Sequence, residues 1–226
     1  MIKQHPSFEP IPDETVLWQY MPLTKFFFLI KNKKLHFHRI DDLMDKEEGV
    51  LSVLDKKFLL IYNDTEEWKN YLENDRKRTF ISCWIKYPIE QSLMWYAYGK
   101  DGVSIRTTAG AIKRSMEIDE EHIVRMIGVR YIDEKRQTAQ ILEEEINWLH
   151  YFTTKRKFFE QEKEVRLLYC DYERKCKKKG MDVKVVIDEL IEEIKVSSSL
   201  PDYVYTLICQ ETKDAGIKLV PTKSNI

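Results

Sequence analysis

Apolar residues follow two different periods along the chain, and these periods divide it into short strands and helices. Residues 35–40 alternate, with Leu35, Phe37 and Arg39 on one side, which predicts a strand. Residues 134–152 repeat apolar positions about every 3.6 residues, as in an amphipathic helix. Shorter patterns predict strands near 15–20, 80–84, 103–107, 123–131, 164–169, 183–187 and 194–197. They predict helices near 23–31, 66–76, 92–98, 110–116 and 201–214, and residues 217–221 as a closing strand.

This mixture of elements predicts a single α+β domain over residues 15–226, with a mixed or mostly antiparallel sheet and flanking helices. Residues 1–14 contain three prolines and little periodicity, so we expect an extended N-terminal arm. Residues 50–62 are apolar but fit a helix and a strand equally well. No internal repeat or linker divides the chain.

Residues 79–108 form the centre of the predicted fold. They are expected to fold as strand, short helix, tight turn and strand, with Gly99 and Gly102 turning the chain between the last two. We expect residues 80–84 and 103–107 to be central strands of the sheet.

Composition narrows the function classes. Among 226 residues, 37 Lys and Arg balance 38 Asp and Glu, so no global positive field attracts nucleic acid or an anionic membrane. The longest apolar run, residues 26–30, is too short to span a bilayer, and the N-terminus does not resemble a signal peptide. The four cysteines lack the close pairing of a zinc site. We therefore expect a reduced, cytoplasmic protein without a membrane association.

Three charged residues at alternate positions form the first candidate site. If residues 162–166 are extended, Glu162, Glu164 and Arg166 project from one face. A carboxylate beside a guanidinium stays ionised, and it can bind a ribose hydroxyl or stabilise an oxocarbenium ion, so Glu164 and Glu162 are the catalytic candidates. The alternative is a solvated strand face with a surface ion pair, worth under about 1 kcal/mol.

Ligand-binding candidates lie on other predicted strands. Arg166, Arg106 and Arg39 have the guanidinium groups that bind phosphate at two points. Tyr20 and Trp95 offer rings on which a base or nicotinamide could stack, although aromatic residues at helical spacing are more often core residues.

Other chemistries find little support in the sequence. His36 and His38 share one side of a strand and could bind a metal with Asp41 or Asp45, but two histidines with loosely placed carboxylates do not define a metal site, and none is predicted. The glycine turn lacks the Lys-Ser/Thr ending of a P-loop. No nucleophile elbow or Rossmann glycine pattern occurs.

Four segments in order resemble a bacterial family known as domain of unknown function 2971. They are LWQYMPL (17–23), KLHFHRIDDLMDKEEG (34–49), SLMWYAYGKDGVSIR (92–106) and KRKFFEQEKEVRLL (155–168). In the second segment Asp45 and Glu48 match the family's Asn-Asp-Pro-x-Glu run, whereas Met44 and Lys46 replace its Asn and Pro. The order of strands and the Glu-x-Glu segment are also similar to ADP-ribosyltransferase-type folds. That resemblance implies a nucleotide-handling enzyme, with NAD as a candidate ligand.

Two hypotheses follow. The first is an ADP-ribosyltransferase-like enzyme or glycohydrolase acting on NAD or a related small nucleotide. The second is a non-enzymatic module that binds nucleic acid or a partner protein in a bacterial stress or phage-defence setting, for which residues 155–157 and 174–179 would supply a basic patch. The sequence leaves the oligomeric state open.

Overall fold

The computed structural model describes residues 2–3, 5–43, 65–119, 122–133, 149–173 and 177–226. Its strands are β1 (Ile2–Lys3), β2 (Val16–Pro22), β3 (Lys34–Arg39), β4 (Thr79–Lys86), β5 (Gly102–Thr108), β6 (Val124–Gly128), β7 (Arg130–Ile132), β8 (Thr154–Arg156), β9 (Glu164–Cys170), β10 (Gly180–Lys184), β11 (Glu193–Val196) and β12 (Thr222–Lys223). Its α-helices are α1 (Leu23–Asn32), α2 (Thr65–Arg76), α3 (Ser92–Met94), α4 (Ala109–Ser115), α5 (Leu149–Phe152), α6 (Ile187–Leu190) and α7 (Asp202–Asp214). Short 3₁₀ segments cover Ile40–Asp42 and Lys157–Glu162, and a π-helical turn covers Trp95–Gly99.

Most predicted elements are present, and the differences have local causes. The predicted strand 123–131 is interrupted at Val129, whose N–H donates to the carbonyl of Glu164, so β6 stays in the main sheet while β7 pairs with β8. The predicted closing strand at 217–221 is wrong, because the strand at that end of the sheet is β12. The predictions for residues 50–62 and 134–148 lie outside the described residues, as do Asp45 and Glu48.

The main sheet is mixed and mostly antiparallel, as predicted. In the described part of the chain its order is β1-β6-β9-β4-β2-β5-β11-β12, and β10 and β3 attach through β4. The two end pairs, β1 with β6 and β11 with β12, are parallel, and the other pairs are antiparallel. Residues 2–3 of the predicted N-terminal arm thus add a strand to the sheet.

Strand β4 has two neighbours along one of its edges. Its C-terminal end pairs with β2 through Ile85 and Lys86, and its N-terminal end pairs with β3 through Phe80 and Ile81. Between these pairs, the side chain of Gln19 bridges the gap, since its Nε2 lies 3.0 Å from the carbonyl oxygen of Cys83 and 3.2 Å from Ser82 Oγ. We call this region the β4 fork. In the β4 fork a backbone carbonyl of β4 accepts its hydrogen bond from a side chain, because neither β2 nor β3 reaches it.

The two faces of the sheet are packed differently. Helices α1, α4, α6 and α7 pack on one face, and the large core there includes Phe26, Trp84, Ile105 and Ile208. We call the opposite face the second face. It holds two smaller clusters, one around α5 with Ile81 and Leu168, and one of aromatic residues. The alternation of β4, β5 and β9 decides which residues reach the second face, and among these are most of the predicted site residues.

Candidate functional site

A left-handed turn at Lys163 begins the site. The φ angle of this residue is 42°, in a region that residues other than glycine seldom adopt. Its N–H donates to Glu160, ending the 3₁₀ segment, and its carbonyl accepts from Lys86 at 3.0 Å, starting β9 beside β4. Glu162 therefore lies before the turn and Glu164 after it. The predicted start of the strand near residue 164 is confirmed, whereas the condition that residues 162–166 are all extended is not met, because β9 begins only at Glu164.

The two glutamates still meet, around one ammonium group. Lys155 Nζ lies 2.6 Å from Glu162 Oε2 and 3.4 Å from Glu164 Oε2. The other oxygen of Glu162 accepts a hydrogen bond of 2.7 Å from the hydroxyl of Tyr98. Tyr98 is about half exposed (47%), whereas Glu162 is nearly buried. Glu162 is thus a carboxylate just beneath the surface, covered by a tyrosine.

Glu164 and Arg166 form the buried centre of the site. Arg166 Nε lies 2.8 Å from Glu164 Oε1, Nη2 lies 3.1 Å from Oε2, and Nη1 donates to the carbonyl of Phe152 at 2.7 Å. Both side chains are almost completely excluded from solvent, with exposures of 2% and 1%. A two-point pair of this kind fixes both groups, and Glu164 has no free surface to offer a ligand.

Opposing effects determine the charge state of Glu164. Burial favours the neutral acid and would raise its pKa. The charge and hydrogen bonds of Arg166, the charge of Lys155 and a hydrogen bond with Cys83 outweigh burial, so the pKa falls to about 2. Burial also raises the pKa of Tyr98, and its bond to Glu162 raises it further, so this hydroxyl remains a donor at neutral pH. The site therefore holds fixed charges in a poorly solvated region.

Arg106 lies on the same face but far from this cluster. A single row across the sheet runs from Glu164 through Ile85 and Trp18 to Arg106. Three strand spacings separate the ends of the row, roughly 14 Å. Arg106 pairs with Glu192, with Nη1 2.5 Å from Oε2.

Arg39 lies on the other side of the sheet. It pairs with Phe80 across β3 and β4, and Phe80 belongs to the large core on the helix-covered face. At the end of its strand, Arg39 binds Asp41 through Nε at 2.6 Å and Nη2 at 3.1 Å. The structure therefore does not bring Arg39, Arg106 and Arg166 into one cleft.

Tyr20 and Trp95 lie between Glu164 and Arg106, in the aromatic cluster with Trp18, Ile85 and Met94. Their rings meet edge to face at 5.2 Å, and both residues are less than a tenth exposed. The hydroxyl of Tyr20 accepts from the N–H of Gln91 at 2.7 Å, and Trp95 Nε1 donates to Glu90 at 2.9 Å. The cluster joins the short helix after β4 to the sheet.

Sequence reasoning missed three residues of the site: Lys155, Tyr131 and Cys83. Lys155 was assigned to a basic patch, but two glutamates neutralise its charge here. Tyr131 accepts from the N–H of Glu164 at 2.8 Å. Cys83 shares the face of Arg166 because it lies opposite it on β4, and no local period indicates this pairing. The other two residues belong to β7 and β8, whose positions depend on the turn at Lys163 and on the β7–β8 pair.

His36 and His38 lie on the same side of β3, as predicted, and the pairing of His38 with Ile81 puts that side on the second face. His36 Nδ1 is 2.6 Å from Asp182, across from it on β10. Burial is the main cause that lowers the pKa of His38 to about 4, and the nearby charge of Lys25 adds to it. Among the described residues, no group of three or more His, Cys, Asp or Glu could hold a metal ion.

Comparison with known proteins supports the family resemblance over the centre of the chain. The model of a family described as a protein of unknown function, DUF2971, matches residues 94–167. The resemblance predicted from the sequence is therefore confirmed for that segment. The matched range includes Tyr98, Arg106 and residues 155–166.

Other comparisons add no relative. No curated protein and no solved structure matches the chain significantly, so no ADP-ribosyltransferase is among its matches. No helix in the described ranges has the length and apolar character needed to cross a membrane.

Proposed function

We propose that the protein is a nucleotide-handling enzyme that breaks the N-glycosidic bond of NAD or a related nucleotide, with Glu162 as the reacting carboxylate. The observation that supports this is the arrangement of two glutamates on one lysine, in which only Glu162 lies directly beneath a half-exposed residue. Glu164, which the sequence also indicated, takes a positioning role because its side chain is only 2% exposed and is paired with the buried Arg166.

The chemistry requires a carboxylate near the anomeric carbon of a ribose. As the C1′–N bond breaks, its electron pair leaves with nicotinamide and positive charge develops at C1′. Glu162 stabilises that charge and accepts a hydrogen bond from a ribose hydroxyl. Water, or the nucleophile of an acceptor molecule, then bonds to C1′ and loses a proton. Lys155 and Tyr98 hold Glu162 in place through both of its oxygens.

Aromatic residues on the two segments that carry Tyr98 and Glu162 offer a surface for the base. Tyr96 and Phe158 are 78% and 69% exposed, and they belong to the same two segments as Tyr98 and Glu162. Arg156 lies 4.7 Å over the ring of Phe158, and Lys163 lies 4.6 Å over Tyr87. Exposed rings with cations against them suit a flat base joined to phosphates. Arg156 and Lys163 thus take the phosphate-binding role that the sequence indicated for Arg106 and Arg39.

The test is release of nicotinamide from NAD, with and without protein and nucleic-acid acceptors. We expect Glu162→Gln to lower the rate by about a hundredfold or more, since it removes the charge that faces C1′. Glu160→Gln is the matched control, because it makes the same change on an exposed residue of the same 3₁₀ segment. Tyr98→Phe should lower the rate less.

Two results would oppose the proposal: no nicotinamide release by the wild-type protein with any acceptor, or an unchanged rate in Glu162→Gln. In the first case, binding to RNA or DNA that weakens steeply with salt would favour the nucleic-acid-binding module instead.

A further inference from the structure

A cavity of about 330 Å³ opens at the other end of β9 from the site. Strand β9 has seven residues, so the cavity end at Cys170 is roughly 20 Å from Glu164. The cavity is lined by His122, Ile123, Arg125, Leu168, Tyr169, Cys170, Asp171, Tyr172, Glu173 and Met181. Its volume is within the range of small-molecule sites. Neither the family match nor the proposed function assigns it a role.

Arg125 is the cation of this cavity. Within the described parts of the chain, its guanidinium has neither a hydrogen bond nor an ion pair with another side chain. The neighbouring Arg78 is different, because it pairs with the buried Asp75 and stacks 5.3 Å from the ring of Tyr172. A guanidinium left without a carboxylate on the wall of a cavity is suited to bind a phosphate at two points.

Aromatic rings form the flat part of the wall. The rings of His122 and Tyr169 lie 5.4 Å apart, and Tyr172 is more than half exposed. Burial is the main cause that raises the pKa of Tyr169 to about 12, so its ring carries no charge at neutral pH. Neutral aromatic faces with apolar neighbours favour a planar heterocycle.

Carboxylates set the polarity of the ligand. Asp171 and Glu173 line the same cavity, so a second anionic group would be repelled, whereas N–H donors would be accepted. The lining therefore favours a molecule with one anionic end, a flat ring and an amino group. A nucleoside monophosphate with an exocyclic amine combines these features.

We propose that this cavity is a binding site for such an aminated nucleoside monophosphate, with its phosphate on Arg125 and its base between the aromatic residues. The site is separate from Glu162, so its occupancy does not depend on the proposed reaction.

Calorimetric titration with AMP, adenosine and inorganic phosphate tests the proposal. The wild-type protein should bind AMP at least about tenfold more tightly than either fragment. Arg125→Met should reduce AMP affinity to that of adenosine. Arg114→Met is the matched control, since Arg114 is exposed on α4 and does not line the cavity, and it should leave affinity unchanged. Tyr172→Ala, at an exposed position, should weaken AMP and adenosine alike.

Three results would overturn the proposal. The first is absence of AMP binding. The second is equal affinity for AMP in Arg125→Met and wild type, which would place the nucleotide elsewhere. The third is phosphate binding as tight as that of AMP, which would exclude a role for the base. If Arg125→Met does not fold, unchanged AMP affinity in Tyr172→Ala contradicts the site equally.

Discussion

Arg166 and Glu164 are two residues apart on one strand, and their side chains form a two-point ion pair that solvent scarcely reaches. Removing one member leaves the other charged and buried. We expect Arg166→Met to lower the free energy of unfolding by about 3–5 kcal/mol, measured by urea denaturation. The double variant Glu164→Gln/Arg166→Met should lose less, because neither of these two positions then carries a buried charge without its partner. A loss below about 1 kcal/mol in Arg166→Met would contradict the buried pair.

Acid should destabilise the protein through Glu164. Its pKa is lowered in the folded state from 4.5 to about 2, so the unfolded chain takes up the proton first as the pH falls. The stabilisation is complete above about pH 5 and is lost as the pH approaches 2, amounting to about 3 kcal/mol. Unfolding free energies between pH 7 and pH 2 measure this loss. The double variant should show a shallower dependence, and an identical one would refute the assignment to Glu164.

The left-handed turn at Lys163 should tolerate only some side chains. Lys163→Val places a β-branched residue at a φ of 42°, and we expect it to lose about 2 kcal/mol or more of stability. Lys163→Gly removes the lysine side chain but accepts this φ, so its stability should remain within about 1 kcal/mol of wild type. Thermal unfolding of both variants measures the difference. Equal losses would mean that the lysine side chain, rather than the backbone, determines the turn.

Gly102 is required by the close approach of β2. A Cβ at this position would lie 2.0 Å from the carbonyl oxygen of Met21, so the strands would have to separate. We expect Gly102→Ala to cost about 3 kcal/mol in urea denaturation. Gly128→Ala is the control, because its Cβ would meet only Ile11 at 3.7 Å, and it should be nearly neutral. Similar results for the two variants would contradict this packing.

Local sequence patterns predicted some relationships in the site and could not predict others. Glu164 and Arg166 were placed together because alternation in a strand depends only on spacing. Whether Glu162 continues that strand could not be predicted, because the left-handed conformation of Lys163 has no glycine to indicate it. Arg39 was correctly grouped with Leu35 and Phe37, but the side of the sheet on which they lie relative to Arg166 depends on strand pairing between distant segments. Such pairing is set by the packed fold and leaves no local period.

The β4 fork also determines how the sheet ends. An unbranched sheet has two edge strands, but the branch at β4 creates three, which in the described chain are β1, β12 and β10. Open margins invite pairing with other molecules and hence aggregation. Here two edge strands, β1 and β12, have only two residues each, and the third, β10, carries Asp182 and Lys184. The branch thus adds an exposed border, and short or charged strands at all three borders oppose self-association through the sheet.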